Sequence, residues 1–333
     1  MQYARSWPAR PWKRLPMSDI VQHCLRRALT APVYDLVQRT PLDEAPGLSK
    51  RIDRKLWLTR VDLQPTFSFT LRGACSCIGG LCEEVRAMGV VAASAGNHAQ
   101  GVALSARKLG IQATIFMPRT TPEIKVRAEE ALGARIELAG DDYDHACDEA
   151  LAFAGRSGGF FIHPFDDLDV IVGQGTMGVE ITQQLGAAPG AIFLPVGGGG
   201  LAAGVAAIVK AVYPDVRIIG VEPADAASMH AALKAGEPVD IGTTGIFADG
   251  VAVRKVGQTT FDLCRDLVDE VITVSVDQVC AAVKTIFEEV RAVTEPAGAL
   301  AVAGAIQYAA SHDAQDLPDG DWVAVLSGAN VNF

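Results

Sequence analysis

A basic surface is the first thing this sequence lacks. Its 333 residues hold 29 lysines and arginines against 39 acids, a formal net charge of −10. Phosphate backbones are gripped by excess positive charge, so nucleic acid is excluded as a partner. An uninterrupted apolar span is also missing, despite a mean hydropathy of +0.22. The one uncharged run of spanning length, residues 190–209 (GAIFLPVGGGGLAAGVAAIV), contains a proline and four consecutive glycines. Those residues break a helix at its centre, so a strand, a tight loop and a new helix are expected there rather than a membrane segment. Residues 1–16 (MQYARSWPARPWKRLP) are basic, contain no acid and lack the apolar core of a secretory signal. They read as a disordered extension ahead of Met17, with an organelle transit peptide as the weaker alternative.

Metal-ligand spacing is absent too. Cys75, Cys77 and Cys82 form C-x-C-x4-C with no fourth ligand nearby, among small apolar residues. Together with Cys24, Cys147, Cys264 and Cys280 they read as free thiols in a reducing cytoplasm, and no metal is expected. No short-period repeat or low-complexity tract is found.

What is present is a rhythm. Helical spacing is read at 19–31, 68–88, 97–109, 124–132, 143–157, 172–185, 201–213, 281–289 and 298–310. Strands are read at 56–63, 90–93, 113–117, 136–138, 160–162, 191–196, 217–221 and 322–326. Alternation of this kind predicts an α/β fold with parallel sheets covered on both faces. The two successive runs predict two domains with a cleft between them.

The strongest local signal is the glycine loop. A hydrophobic strand ends at Val196, Gly197 to Gly200 follow, and a helix opens at Leu201. Bare amides at a helix start crowd round an anion and carry favourable partial charge. No Lys-Ser/Thr pair follows, so this is not a Walker loop. Gly198, Gly200 and Ala203 also fit G-x-G-x-x-A, with Glu222 at the end of the next strand, as a dinucleotide unit requires. Mononucleotide phosphate, dinucleotide, sugar phosphate and a packing-only turn all remain open on these residues alone. A second loop, SAGNH, sets Ser94, Gly96, Asn97 and His98 between a strand and an amphipathic helix. Helix-start amides with hydroxyl, amide and imidazole side chains suit a carboxylate; a plain helix cap would explain Ser94 or Asn97 taken singly.

In order along the chain, SAGNHAQGVA, PVGGGGLAAGV, FADGVAV, TEPAGALAVAG and LSGANVNF resemble the biosynthetic threonine deaminases (threonine dehydratases) from about residue 31 to the end. These are pyridoxal-phosphate enzymes of fold type II, the tryptophan-synthase-β-like class. The resemblance implies two three-layer αβα domains: a large cofactor domain from 17–86 and 164–333, and a small clamping domain, 87–163. It implies pyridoxal 5'-phosphate in the glycine loop, held through Gly197, Gly198, Gly199, Gly200 and Leu201. Asn97 would bond the phenolic oxygen, Phe69 would pack on the ring and Ser327 would face the pyridine nitrogen. Ser94, Gly96, Asn97 and His98 would bind the carboxylate of a small amino acid. Relatives of this kind are usually homo-oligomers, and isoleucine synthesis is the pathway implied. In metal-binding cousins the ligands lie near the equivalents of Glu222, Ala226 and Ser228; Ser228 is not acidic here. The chain stops just after the Ser327 motif, so the isoleucine-sensing domain of such enzymes is not expected.

One position departs from the pattern. The family's run is Ser-Phe-Lys-x-Arg-Gly-Ala; here Ser68, Phe69, Leu71, Arg72, Gly73 and Ala74 are in place, but the lysine position is Thr70. That lysine links the cofactor covalently and removes the α-proton. A threonine hydroxyl can do neither near neutrality, and losing such a base lowers a rate about 10²–10⁴-fold. Thr59 and Val61 stand where the family usually has lysine and glutamate. Non-covalent cofactor binding is therefore expected, with two functional alternatives: dehydration and deamination of threonine or serine, or a lysine-less relative that binds its ligands without that reaction or runs a different one. Lys55 and Lys125 are the candidates for a relocated amine.

Overall fold

Strands buried from both sides read as unbroken apolar runs, and this chain supplies several. The computed structural model describes residues 16–331; the expected N-terminal extension, apart from Pro16, lies outside them. The strands are β1 (Leu42–Glu44), β2 (Leu56–Arg60), β3 (Val90–Ala93), β4 (Ala113–Met117), β5 (Arg135–Leu138), β6 (Phe160–Phe161), β7 (Ala191–Pro195), β8 (Arg217–Pro223), β9 (Glu270–Val274) and β10 (Trp322–Leu326). The first seven helices are α1 (Met17–Thr30), α2 (Pro46–Ile52), α3 (Thr70–Gly79), α4 (Glu83–Ala87), α5 (Asn97–Lys108), α6 (Glu123–Ala131) and α7 (Tyr143–Ser157). The remainder are α8 (Leu168–Leu185), α9 (Gly200–Val212), α10 (Ser228–Ala235), α11 (Gln258–Leu267), α12 (Val276–Val290) and α13 (Pro296–Ser311).

Two sheets result. The larger has the order β1-β2-β10-β7-β8-β9, parallel throughout except for the antiparallel edge strand β1. The smaller, β5-β4-β3-β6, is parallel throughout. Alternate residues of one strand feed opposite layers, as the period of two demands. On β7, Ile192 and Leu194 pack with α1, α8, α9 and α11, whereas Ala191 and Phe193 face α13. On β3, Val90 and Ala92 pack with α3 and α5, whereas Val91 and Ala93 face α7. Each sheet is thus the middle layer of an αβα sandwich, as expected.

Several boundaries differ from the sequence reading. Residues 68–88 are not one helix: α3 ends at Gly79, Gly80 caps it, and α4 is a separate short helix. The strand expected over 56–63 turns into a 3-10 turn at Val61–Leu63, because Arg60 folds back to hold Asp62 through two hydrogen bonds of 3.0 and 2.9 Å. Helix α8 starts at Leu168 rather than 172, capped by Asp167, and α12 starts at Val276 with a Ser275–Gln278 capping box. β1, β9, α2, α10 and α11 were not anticipated.

The two helices that follow the loops of interest approach their neighbours closely. A Cβ on Gly204 of α9 would lie 2.3 Å from the Ile171 carbonyl oxygen of α8. A Cβ on Gly101 of α5 would lie 3.2 Å from the backbone of Thr70 and Leu71 in α3. Small residues at these crossings bring the loops into one cleft.

Candidate functional site

Ligands in parallel α/β sheets bind beyond the carboxyl ends of the strands. Here the ends of β3, β7 and β10 open onto a single cavity of about 1130 Å³. Its lining brings together every residue expected from the sequence: Phe69, Thr70, Ser94, Gly96, Asn97, His98, Gly197 to Gly200, Leu201 and Ser327.

The glycine loop bridges β7 and α9. Gly199 has φ +90°, a left-handed conformation that a side chain would strain, and it caps α9 from outside. At Gly198 the demand is space: a Cβ would sit 2.2 Å from the ring of Phe165. The amides at the start of α9 are therefore bare and point their dipole at the cavity, a site suited to a dianionic group.

Across the cavity, β3 ends in Ser94 and α5 starts at Asn97. Ser94 Oγ accepts from the Gly96 amide at 3.2 Å, shaping the turn. His98 is buried, its Nε2 3.0 Å from the Ile162 carbonyl oxygen, which makes Nε2 the donor. Burial pushes this imidazole down to about 4, so it is neutral near pH 7.

Phe69 and Ser327 meet at the cavity floor, where the Phe69 amide donates to the Ser327 carbonyl at 3.1 Å. Ser327 Oγ donates to the Ala297 carbonyl at 3.4 Å. Thr70 opens α3, and its hydroxyl donates to the Asn97 carbonyl at 2.7 Å and lies 2.9 Å from Ser68 Oγ. Of the lysines considered as substitutes, Lys55 lies outside the cavity lining, paired with Glu44 at 3.5 Å and stacked on Trp57. Lys125 lines the cavity but pairs with Asp249 at 3.2 Å; Lys255 lines it too.

Several site residues were not singled out in the sequence. Glu295 accepts from the Asn97 side chain at 2.7 Å, and Asn330 donates to Asn97 Oδ1 at 2.7 Å. Glu295 and Asn330 lie inside the TEPAGALAVAG and LSGANVNF motifs, but nothing local in either marks them as partners of Asn97. At the mouth, Arg254 donates to Asp144 of α7 at 2.8 Å and to Asp240 at 2.6 Å, joining the two halves. Glu222, considered as a ribose or metal ligand, is wholly buried and caps α10 instead, accepting from the amides of Met229 and His230 at 2.8 Å each. Burial pushes its carboxyl up to about 7. Among the described residues no group of three or more His, Cys, Asp or Glu side chains is placed to hold a metal ion. Nor is any helix among them long and apolar enough to cross a membrane.

These residues fit pyridoxal phosphate in its non-covalent parts. The cradle exists only because positions 198 and 199 lack a Cβ, and a hydroxyl and an amide flank the floor. They do not supply a covalent anchor at position 70, where a hydroxyl stands in place of an amine.

Comparison with known proteins agrees with this geometry. The family model for pyridoxal-phosphate dependent enzymes matches residues 33–328. An L-threonine dehydratase from Pasteurella multocida is 49% identical over 309 residues, 93% of this chain and 60% of that protein. A chloroplastic threonine dehydratase from Arabidopsis thaliana is 53% identical over 309 residues, 93% of this chain and 52% of that protein. The chain therefore spans between half and three-fifths of the length of these relatives. The solved processed form of threonine deaminase isoform 2 from Solanum lycopersicum superposes with a TM-score of 0.91 at 45% identity, covering 95% of this chain and 86% of that one. With nearly its whole length matched by the family model, the chain belongs to the pyridoxal-phosphate dependent enzymes, in their fold type II architecture.

Proposed function

We propose that this chain is a threonine dehydratase-like protein that holds pyridoxal phosphate without a covalent link and receives a small hydroxy amino acid, threonine or serine, beside it. The single observation that carries this reading is the facing of two anion sites across one cavity: the bare amides of Gly197 to Leu201 and the turn from Ser94 to His98. In this reading the first holds the cofactor phosphate and the second the substrate carboxylate, with Phe69 against the ring, Ser327 toward its nitrogen and Asn97 toward its phenolic oxygen. Bound there, pyridoxal phosphate supplies an electron sink for charge developing at the substrate α-carbon. The residues from 87 to 163, built on the smaller sheet, form the half that clamps the amino acid; the rest holds the cofactor.

A dehydratase of this type takes the α-proton and the β-hydroxyl from its substrate and yields a 2-oxo acid and ammonia. The chain's own residues bind and orient for that reaction, but Thr70 offers no base: its hydroxyl is spent on the Asn97 carbonyl. That hydrogen bond favours a second reading, in which the cleft binds its ligands without turnover. One experiment separates the two. Cofactor uptake is followed by absorbance during equilibrium dialysis, and 2-oxo acid release from threonine and serine is measured for the wild type and for T70K. Retention of the cofactor by the wild type with 2-oxo acid released only by T70K supports binding without turnover. Release by the wild type supports the dehydratase. Failure of both proteins to retain the cofactor overturns the cofactor reading.

A further inference from the structure

The Asn97 side chain is held in a closed circuit. Its Nδ2 donates to Glu295 Oε1 at 2.7 Å, and its Oδ1 accepts from Asn330 Nδ2 at 2.7 Å. Asn330 closes the loop by donating its backbone amide to Glu295 Oε2 at 3.1 Å. The orientation of each amide follows from partners that act in one sense only. The Thr66 carbonyl accepts from Asn330 Nδ2 at 2.9 Å, so the Asn330 amide group must face Asn97 as a donor. Because Asn330 Nδ2 donates to Asn97 Oδ1, the other edge of the Asn97 amide is its NH2, and that NH2 faces Glu295 in either protonation state of the acid.

An NH2 group has two hydrogens, and only one is used by Glu295. We propose that Glu295 is a positioning residue: it turns the Asn97 amide so that the remaining N–H, not the carbonyl, is offered to the phenolic oxygen of bound pyridoxal phosphate. This rests on the cofactor reading above. Without Glu295, a rotated Asn97 would present an acceptor to an oxygen that carries negative charge, and the contact would become repulsive.

The site is built around this carboxylate. Glu295 is 4% exposed, and Gly328 is a glycine where a Cβ would lie 2.4 Å from its Oε1. Burial pushes the carboxyl up to about 7, Asp249 adds to that, and the bonds from Asn97 and Asn330 and the Lys125 charge oppose it. A buried acid kept partly protonated near neutrality has no packing advantage over glutamine or leucine. The circuit also crosses the cleft, because Asn97 starts α5 beside the smaller sheet while Glu295 and Asn330 belong to the larger half.

The test compares pyridoxal phosphate with 3-deoxypyridoxal phosphate, which lacks the phenolic oxygen, by equilibrium dialysis with the wild type, E295A and E295Q. The wild type should prefer pyridoxal phosphate about ten- to a hundredfold, the weight of one hydrogen bond to a charged group. E295A should lose most of that preference while its affinity for the deoxy compound stays within about twofold, a pattern that general damage to the cavity would not give. E295Q, isosteric and uncharged, should move the same way by less, and it decides the matter if E295A does not melt cooperatively. Undiminished preference in the folded variants overturns the positioning role alone, as does a wild type that binds both compounds equally. A wild type that binds neither overturns the cofactor reading and this inference with it.

Discussion

The hydroxyl of Thr70 donates to the backbone carbonyl of Asn97 at 2.7 Å, tying the first turn of α3 to the first turn of α5. The Thr70 side chain thus points at the protein's own backbone. T70V, which keeps the shape and removes the donor, should destabilise by roughly 1–2 kcal/mol, whereas T70S should stay within about 0.5 kcal/mol of the wild type. Urea unfolding of the cofactor-free chain checks this; equal midpoints for T70V and the wild type would show that the bond contributes nothing.

The same pair shows how far the sequence could be read. Loops whose chemistry resides in the backbone were legible, because a glycine quartet after an apolar strand and SAGNH after another announce bare amides at helix starts. Side chains that act on other side chains were not. Glu295, Asn330 and Arg254 find their partners at sequence separations of 198, 233 and 110 residues, which no local pattern records. The dinucleotide alternative stayed open at Glu222 for a related reason. An acid at a strand end suits a ribose, but α10 has no side-chain cap of its own and takes the carboxylate for its first amides. The missed elements β1 and α2 are three and seven residues long, too short for periodicity to register. The apolar spacing that reads as one helix over 68–88 runs through Gly80, where α3 in fact ends.

The space above the glycine cradle is set by Phe165. G198A would place a methyl group 2.2 Å from that ring, which is itself packed edge-on against His163 at 4.8 Å. Affinity for pyridoxal phosphate should fall at least tenfold, since the clash must be relieved by moving the amides themselves. In F165A/G198A the obstruction is gone, and part of the affinity should return. If the double variant binds no better than G198A, the loss has another origin.

Arg72 is fully buried and lies outside the cavity lining. It grips Glu180 with both terminal nitrogens, at 2.7 and 2.8 Å, while Thr176 accepts from it at 3.0 Å and Tyr34 donates to the same carboxylate at 2.9 Å. Removing one partner strands the other without water. R72A should therefore lower stability by about 3–5 kcal/mol, and R72L/E180L by clearly less, because no unpaired charge remains. Denaturant midpoints of the single and double variants measure the difference; a double variant as unstable as R72A would mean that shape, not charge, governs the site.

Glu129 is the least expected acid in the cleft wall. It lies on α6, is wholly buried, and neither carboxyl oxygen has a hydrogen-bond partner. Burial raises its carboxyl from 4.5 to about 8, against the opposing pull of the Lys125 charge and of the nearby Gln100 amide, which is not placed to complete a hydrogen bond. The sign follows from proton counting. Between these two values the unfolded chain has released its proton and the native protein still holds it, so rising pH favours unfolding. The stability linked to this group is complete below about pH 4.5 and is lost by the time pH passes 8. E129Q has no proton to lose and should escape that slope. Its advantage over the wild type should therefore widen from pH 5 to pH 8.5, by roughly 2–4 kcal/mol. Unfolding midpoints of both proteins across that range read the effect directly. Two stability curves that run parallel would place the Glu129 carboxyl in an ionised state with a partner, contrary to its setting on α6.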